Sequence, residues 1–157
     1  MNAYEWIKLM HILSATILFG TGLGIAYFLL RGHLSGNREA MAVVVRSVVI
    51  ADWVFTSPAV VVQLLTGLWL TNRLGISHES VWFFAVIFLF SFVGVCWLPV
   101  VWIQIRIRRI IADGGDRDDY RRLFSIWMFL GILAFSGVLL IFLLMVSKAG
   151  INRPLFV

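Results

Sequence analysis

The chain has 157 residues, of which 61% are hydrophobic and 13% are charged, and its formal net charge is +5 at pH 7. With a mean hydropathy of +0.97, it is too apolar for a water-soluble domain of this length, which predicts an integral membrane protein. Membrane topology explains the excess of positive charge, so nucleic acid is excluded as a partner. The single cysteine, Cys96, excludes an internal disulfide framework and any multi-cysteine metal or iron–sulfur site.

Four apolar blocks account for nearly the whole chain, and each is long enough for the roughly 20 residues that a helix needs to cross a bilayer. The sequence predicts a single transmembrane domain over residues 1–157, with helices at about 4–30, 40–71, 81–111 and 120–147. The first block is predicted to be a membrane helix because its apolar run is too long for a removable signal peptide.

The helix ends carry local signals. Gly32 and Gly36 are expected to end the first helix, and Pro99 is expected to kink the third. Three acidic residues suit the N-terminus of the fourth helix, where the helix dipole favours negative charge; they are Asp116, Asp118 and Asp119.

The distribution of Lys and Arg predicts the orientation in the membrane. Nine lie in or beside the first and third loops, and four lie on the other side, namely Lys8, Arg73, Lys148 and Arg153. Short loops make successive helices antiparallel neighbours. The expected fold is therefore an all-α, up-down four-helix bundle in the bacterial inner membrane, with both termini on the outer, periplasmic side.

His11 is the one histidine of the first apolar block, in the stretch WIKLMHILSATILFGTGLG. An imidazole in hydrocarbon is costly without a partner, so its presence points to a functional site. Ala15, Leu18 and Gly22 lie within about 40° of it on the helix and could accommodate a flat ligand. In the alternative interpretation, the small residues let another helix approach and His11 bonds a backbone carbonyl.

The second helix carries a polar stripe at spacings of four, three, four and three residues, which places all five members on one face: Asp52, Thr56, Ala59, Gln63 and Thr66. Such a face is unfavourable toward lipid and must look into the bundle, as interhelical contact, ligand site or water path. For Asp52 a structural ion pair with Arg106 or Arg121 is the leading interpretation, and a proton relay is the second. Gln63 and His11 could face one compartment.

The third and fourth helices add further candidates. Trp97, Gln104 and Arg108 share a face, which indicates aromatic packing, although Arg108 could bind Asp52 or a propionate. Met145 lies on a mostly apolar stripe and is a candidate axial ligand. The remaining histidines, His33 and His78, lie in predicted loops and are expected to be solvated.

Known catalytic patterns are missing from the sequence, which contains no recognisable nucleophile–base pair, phosphate loop or multi-histidine zinc motif. Four-helix membrane bundles hold haem through helical histidines, so a redox cofactor fits the pattern. With no second histidine inside the apolar blocks, such a haem would not be ligated by two of them.

Four segments, HILSATILFGTGLG, ADWVFTSPAVVVQLLTGLWL, VCWLPVVWIQ and YRRLFSIWMFLGILAFSGVLLIFLLMVSK, resemble a bacterial family of integral membrane proteins known as a domain of unknown function. More distantly, WIKLMHI, SPAVVVQLLTGLWL and YRRLF are similar to the HemJ-type protoporphyrinogen oxidases. That resemblance implies haem b bound through a histidine of the first helix, here His11. The functional lysine early in the third helix of that family has no counterpart in SVWFFAVIFLF.

Together these observations predict a haem b-binding redox protein that transfers electrons or oxidises and reduces a porphyrin or quinone. His11 is the expected iron ligand, and the residues expected around the cofactor are Ala15, Gly22, Gln63, Trp97, Arg108 and Met145. One alternative is a non-catalytic subunit or assembly factor, in a homo-oligomer or larger membrane complex. Another is a small transporter or proton path through Asp52 and Gln63.

Overall fold

The computed structural model describes residues 2–148 and contains four long helical spans. They are Ala3–Leu34, Arg38–Arg73, Val81–Asp113 and Arg117–Ser147, and each is long and apolar enough to cross a membrane. This confirms the predicted all-α class with four membrane helices. Where the observed helices differ from the predicted ones, they extend further into the loops, because polar helix ends continue beyond the apolar core.

The second span is interrupted near its middle. Helix α2 (Arg38–Ala51) passes through a π-helical turn, Asp52–Thr56, into α3 (Ser57–Arg73). Pro58 explains the interruption, because its nitrogen donates no hydrogen bond and its ring would collide with the carbonyl of Val54 in a regular helix. The Ser57 hydroxyl donates to the Asp52 carbonyl at 3.0 Å. The wider turn leaves Asp52 and Thr56 both buried.

The remaining spans are α1 (Ala3–Leu34), α4 (Val81–Asp113) and α5 (Arg117–Ser147). Asp116 caps α5 by accepting from the Asp118 amide, as its acidic start predicted. Helix α4 continues through Pro99. The prediction that Gly32 ends the first helix is wrong: Gly32 lies inside α1, where a Cβ would come within 2.9 Å of Met41 Sδ. It permits close packing of α1 on α2, and Gly36 (φ +63°) forms the turn after α1.

The helices pack differently in the two halves of the bundle. In the half nearest the first and third loops, α1, α2, α4 and α5 enclose an apolar core that includes Leu29, Val45, Ile107 and Trp127. In the other half α1 packs mainly on α3, and α4 mainly on α5, with no extensive contact between α3 and α4 in the described chain. A stack of Phe19 on Phe135 helps to join the two pairs. A cleft therefore lies between α3 and α4.

Candidate functional site

One polar cluster joins α1 to α3. We call it the histidine cluster, and it consists of His11, Ser14, Gln63 and Thr66. His11 Nε2 lies 3.0 Å from Gln63 Nε2, and His11 Nδ1 lies 2.9 Å from Thr66 Oγ1. Ser14 donates its hydroxyl to Gln63 Oε1 at 2.5 Å. The prediction that His11 and Gln63 face one compartment is confirmed.

The hydrogen bonds of the histidine cluster determine which nitrogen of His11 carries the proton. An amide nitrogen only donates, so Gln63 Nε2 donates to His11 Nε2, which leaves the proton on Nδ1. Nδ1 then donates to Thr66 Oγ1, whose own hydrogen goes to the Val62 carbonyl at 2.6 Å. Every polar atom of the imidazole is satisfied in the neutral form. This arrangement fits the interhelical role that was the alternative interpretation of His11, with side chains as partners.

The cleft between α3 and α4 lies beside the histidine cluster. Its volume is about 50 Å³, and aromatic side chains of α4, including Trp82, Phe83 and Phe90, line it with His11 and Gln63. Sites for small molecules measure about 300–1,000 Å³. A haem does not fit this arrangement, because the cleft is too small and Gln63 already binds His11 Nε2. The donor chemistry of His11 itself is suitable, since a neutral imidazole anchored through Nδ1 is typical of an axial haem ligand.

A second cluster lies at the π-helical turn. We call it the aspartate cluster, and it consists of Asp52, Thr56, Trp97 and Gln104. Asp52 is 3% exposed and Gln104 is 0% exposed. The Trp97 indole donates to Asp52 Oδ1 over a long 3.4 Å, and Thr56 and Gln104 lie beside the same carboxyl group. Asp52 Oδ2, the Thr56 hydroxyl and both amide atoms of Gln104 are buried without a hydrogen-bond partner.

The predicted ion pair of Asp52 with an arginine is wrong. Within residues 2–148, the side chains that surround the carboxyl group are neutral. Arg106 and Arg108 are exposed on α4, and Arg121 lines a cavity at the loop end of the bundle. The buried face of α4 brings Gln104 to the carboxyl group instead, and Ile103 and Ile107 are buried on the same helix.

The structure divides the predicted cofactor site in two. Gln63 joins His11, whereas Trp97 joins Asp52. The other predicted members do not line the cleft beside His11; they are Ala15, Gly22, Arg108 and Met145. Gly22 is exposed, and a Cβ there would have no atom within 4 Å, so the small-residue strip does not extend the His11 site.

Sequence reasoning missed two polar contacts. Ser14 follows His11 at the i+3 spacing of one helix face, which was the available signal. The expectation that His33 is solvated is wrong, because His33 lies inside α1 and is half-buried. Its Nδ1 shares a 2.7 Å hydrogen bond with the Tyr120 hydroxyl, and its ring stacks on Phe124 with centroids 3.9 Å apart. His78 is exposed, as expected.

Comparison with known proteins gives one match. A family model described as a predicted integral membrane protein, DUF2269, matches residues 5–149, a range that includes both polar clusters. No curated protein matches the chain. No solved structure matches it either.

Proposed function

We propose that this chain, which belongs to the DUF2269 family of predicted integral membrane proteins, binds and releases a proton at Asp52, as a proton path or small proton-coupled transporter. The protein is a multi-pass integral membrane protein with four apolar helices. The observation that carries the proposal is a carboxyl group buried in the middle part of a membrane span with one oxygen unpartnered. Ionisable residues inside membrane spans commonly mark ion or proton pathways.

The neighbours of Asp52 support a change of protonation rather than a permanent charge. A carboxylate in hydrocarbon is costly unless a cation or several donors satisfy it. Trp97 supplies one donor, and the amide of Gln104 has both a free donor and a free acceptor. The donor can serve the ionised form and the acceptor can serve the acid, so the aspartate cluster suits both states. π-Helical turns such as Asp52–Thr56 are frequent at functional sites.

The surroundings favour proton exchange toward the histidine cluster. Along α3 the same face continues from Thr56 through the buried Ala59 to Gln63, about 16 Å from Asp52 at 1.5 Å per residue. Toward the loop end the core is apolar; its residues next to the aspartate cluster along the helices include Val45, Val48, Ile103 and Ile107. In the described conformation Asp52 would therefore exchange its proton on the side of His11, and flux across the membrane requires a second conformation in which the apolar core opens toward the loop end.

The test uses protein reconstituted in lipid vesicles. Asp52→Asn keeps the shape of the side chain but cannot titrate, so we expect proton flux, followed with a trapped pH-sensitive dye, to fall at least about tenfold. Infrared difference spectra on changing the pH should contain a carboxylic-acid band that this variant loses. Glu79→Gln, in the exposed loop after α3, is the matched control and should retain both signals. Flux and band unchanged in Asp52→Asn would refute the proposal.

Haem b bound through His11 is a second candidate, which requires Gln63 to release Nε2 and the cleft to widen; one observation favours it. Thr66 accepts from Nδ1 of His11, and an anchored second nitrogen is typical of metal-ligating histidines. A bound haem would supply redox chemistry, with quinone or porphyrin as the reaction partner. Gln63→Ala, which frees Nε2, should then increase haem uptake, whereas His11→Ala should abolish it. Colourless wild-type and Gln63→Ala protein from haem-replete cells would exclude this candidate.

We further propose the bacterial inner membrane as the location, with the first and third loops in the cytoplasm. The count of Lys and Arg supports this orientation, although Arg153 lies outside the described residues. A membrane-impermeant thiol reagent should label Ser77→Cys in intact spheroplasts and leave Ser35→Cys unlabelled.

The alternative of a non-catalytic subunit predicts that the chain co-purifies as part of a homo-oligomer or a larger complex. Proton flux through the purified chain alone would argue against this alternative.

A further inference from the structure

A larger cavity lies at the loop end of the bundle, far from both polar clusters. Its volume is about 360 Å³, and it lies where the end of α1, the start of α2, the end of α4 and the start of α5 meet. We call it the loop cavity; the side chains that matter here are His33, Arg38, Asp116, Arg117, Tyr120 and Arg121. Its size falls within the range of sites for small molecules, about 300–1,000 Å³.

The charge of the loop cavity favours an anion. Three guanidinium groups, of Arg38, Arg117 and Arg121, line it with a single carboxylate, Asp116. The first turns of α2 and α5 open onto it, but so do the last turns of α1 and α4, so the helix dipoles oppose one another and the guanidinium groups supply the positive charge. Arg121 is close enough to His33 for its charge to act on the imidazole.

The walls of the loop cavity are held in place by contacts independent of any ligand. Arg38 donates from Nε to the Ile111 carbonyl at 3.0 Å, and its Nη2 donates to the same oxygen, so it caps the end of α4. His33 is held between the Tyr120 hydroxyl and the ring of Phe124.

The two remaining arginines are differently placed. Among the described residues, no carboxylate pairs with Arg117 or Arg121. Structural contacts therefore occupy Arg38 and leave these two guanidinium groups for a ligand.

We propose that the loop cavity binds a phosphate group, through Arg117 and Arg121. Guanidinium groups match the geometry of phosphate oxygens and bind them with two parallel hydrogen bonds. A phospholipid headgroup or a soluble phosphate compound would supply the same chemistry. Basic pockets between membrane helices on the cytoplasmic side are suited to anionic headgroups. This site is independent of Asp52 and of the proton path proposed above.

The experiment compares two double variants with equal loss of charge. Arg117→Gln with Arg121→Gln removes the arginines that face the loop cavity. Arg109→Gln with Arg122→Gln removes two exposed arginines from the same ends of α4 and α5, neither of which lines the cavity. Binding of phosphatidylglycerol is measured by native mass spectrometry, and binding of inorganic phosphate by calorimetry on protein in phosphatidylcholine nanodiscs.

We expect the first double variant to bind the phosphate-bearing probe at least about tenfold more weakly, since it loses the charge-assisted hydrogen bonds of both guanidinium groups. The control should lose less than about threefold. Saturation by one phosphatidylglycerol would identify a headgroup, whereas binding of inorganic phosphate alone would identify a soluble ligand. Equal losses in the two variants, or no binding of either probe, would overturn the proposal. A test without any variant uses phenylglyoxal, which modifies arginine side chains. In the wild-type protein, the bound phosphate-bearing probe should protect Arg117 and Arg121 from this modification.

Discussion

The contact between α4 and α5 gives a sharp test of the architecture that creates the cleft. Gly137 is buried in α5, and a Cβ added there would lie 2.6 Å from Val93 Cγ2 of α4. Carbon atoms in contact prefer about 3.5–4.0 Å, so Gly137→Ala requires the two helices to separate by about 1 Å. Overpacking of this kind costs about 1–3 kcal/mol.

Gly131→Ala is the matched control on the same helix. A Cβ at Gly131 meets no atom within 4 Å, so alanine there should be neutral or stabilise α5 by up to about 1 kcal/mol through its helix propensity. The gain in helix propensity is common to both substitutions and cancels, so we expect the free energies of unfolding of the two variants to differ by roughly 1–3 kcal/mol, the cost of overpacking. Unfolding by sodium dodecyl sulfate in mixed micelles, followed by circular dichroism, measures this difference.

A double-mutant cycle identifies the cause of the loss. Val93→Ala removes the methyl group that Gly137→Ala would strike, so the double variant should recover at least about 1 kcal/mol relative to the sum of the single changes. Equal stability of Gly137→Ala and Gly131→Ala, or strict additivity in the cycle, would refute the described distance between α4 and α5. The described packing of the helix pairs, and with it the cleft between α3 and α4, would then be refuted as well.

Three further predictions concern polar contacts, each measured by the same unfolding assay. Arg38→Gln removes the charged cap of α4 and should cost about 1.5–3 kcal/mol, whereas Arg46→Gln, at an exposed position of α2, should change stability by less than about 0.5 kcal/mol. Trp82→Phe loses the indole bond to the Leu144 carbonyl at 2.9 Å and should cost about 1 kcal/mol; the exposed Trp102→Phe should not. His11→Ala and Thr66→Ala should show a coupling energy of about 0.6–1.7 kcal/mol, whereas His11→Ala and Thr16→Ala should be additive because Thr16 bonds only its own helix.

The clearest success of sequence reasoning at the candidate site is the polar face of the second span. Helical spacing placed Asp52, Thr56 and Gln63 on one face, and that face does look into the bundle. The spacing could not show that this face meets α4 near Asp52 and α1 near Gln63. The predicted ion pair failed for that reason, because the partner of a buried charge depends on which residue of another helix arrives at the same depth.

Pro58 shows a signal that was present but was not used. A proline inside a membrane helix predicts a disturbed backbone, yet whether the helix responds by a bend, a break or a π-helical turn depends on its neighbours. Here the turn begins at Asp52 and coincides with the aspartate cluster. The proline is visible in the sequence, whereas the contacts at the turn are not, because some of their side chains belong to α4.

The features that the sequence predicts correctly are those that depend on local chemistry. Long apolar runs must form helices in a bilayer, because a helix satisfies its backbone hydrogen bonds internally, so the helical class and the four spans followed directly, whereas the end of the first helix did not. The packing of the helices satisfies His11 with Gln63 and Thr66 and leaves Asp52 incompletely hydrogen-bonded. The reason is physical: the cost of burying a polar group depends on atoms within about 3 Å of it, and in this chain those atoms belong to residues far away in the sequence.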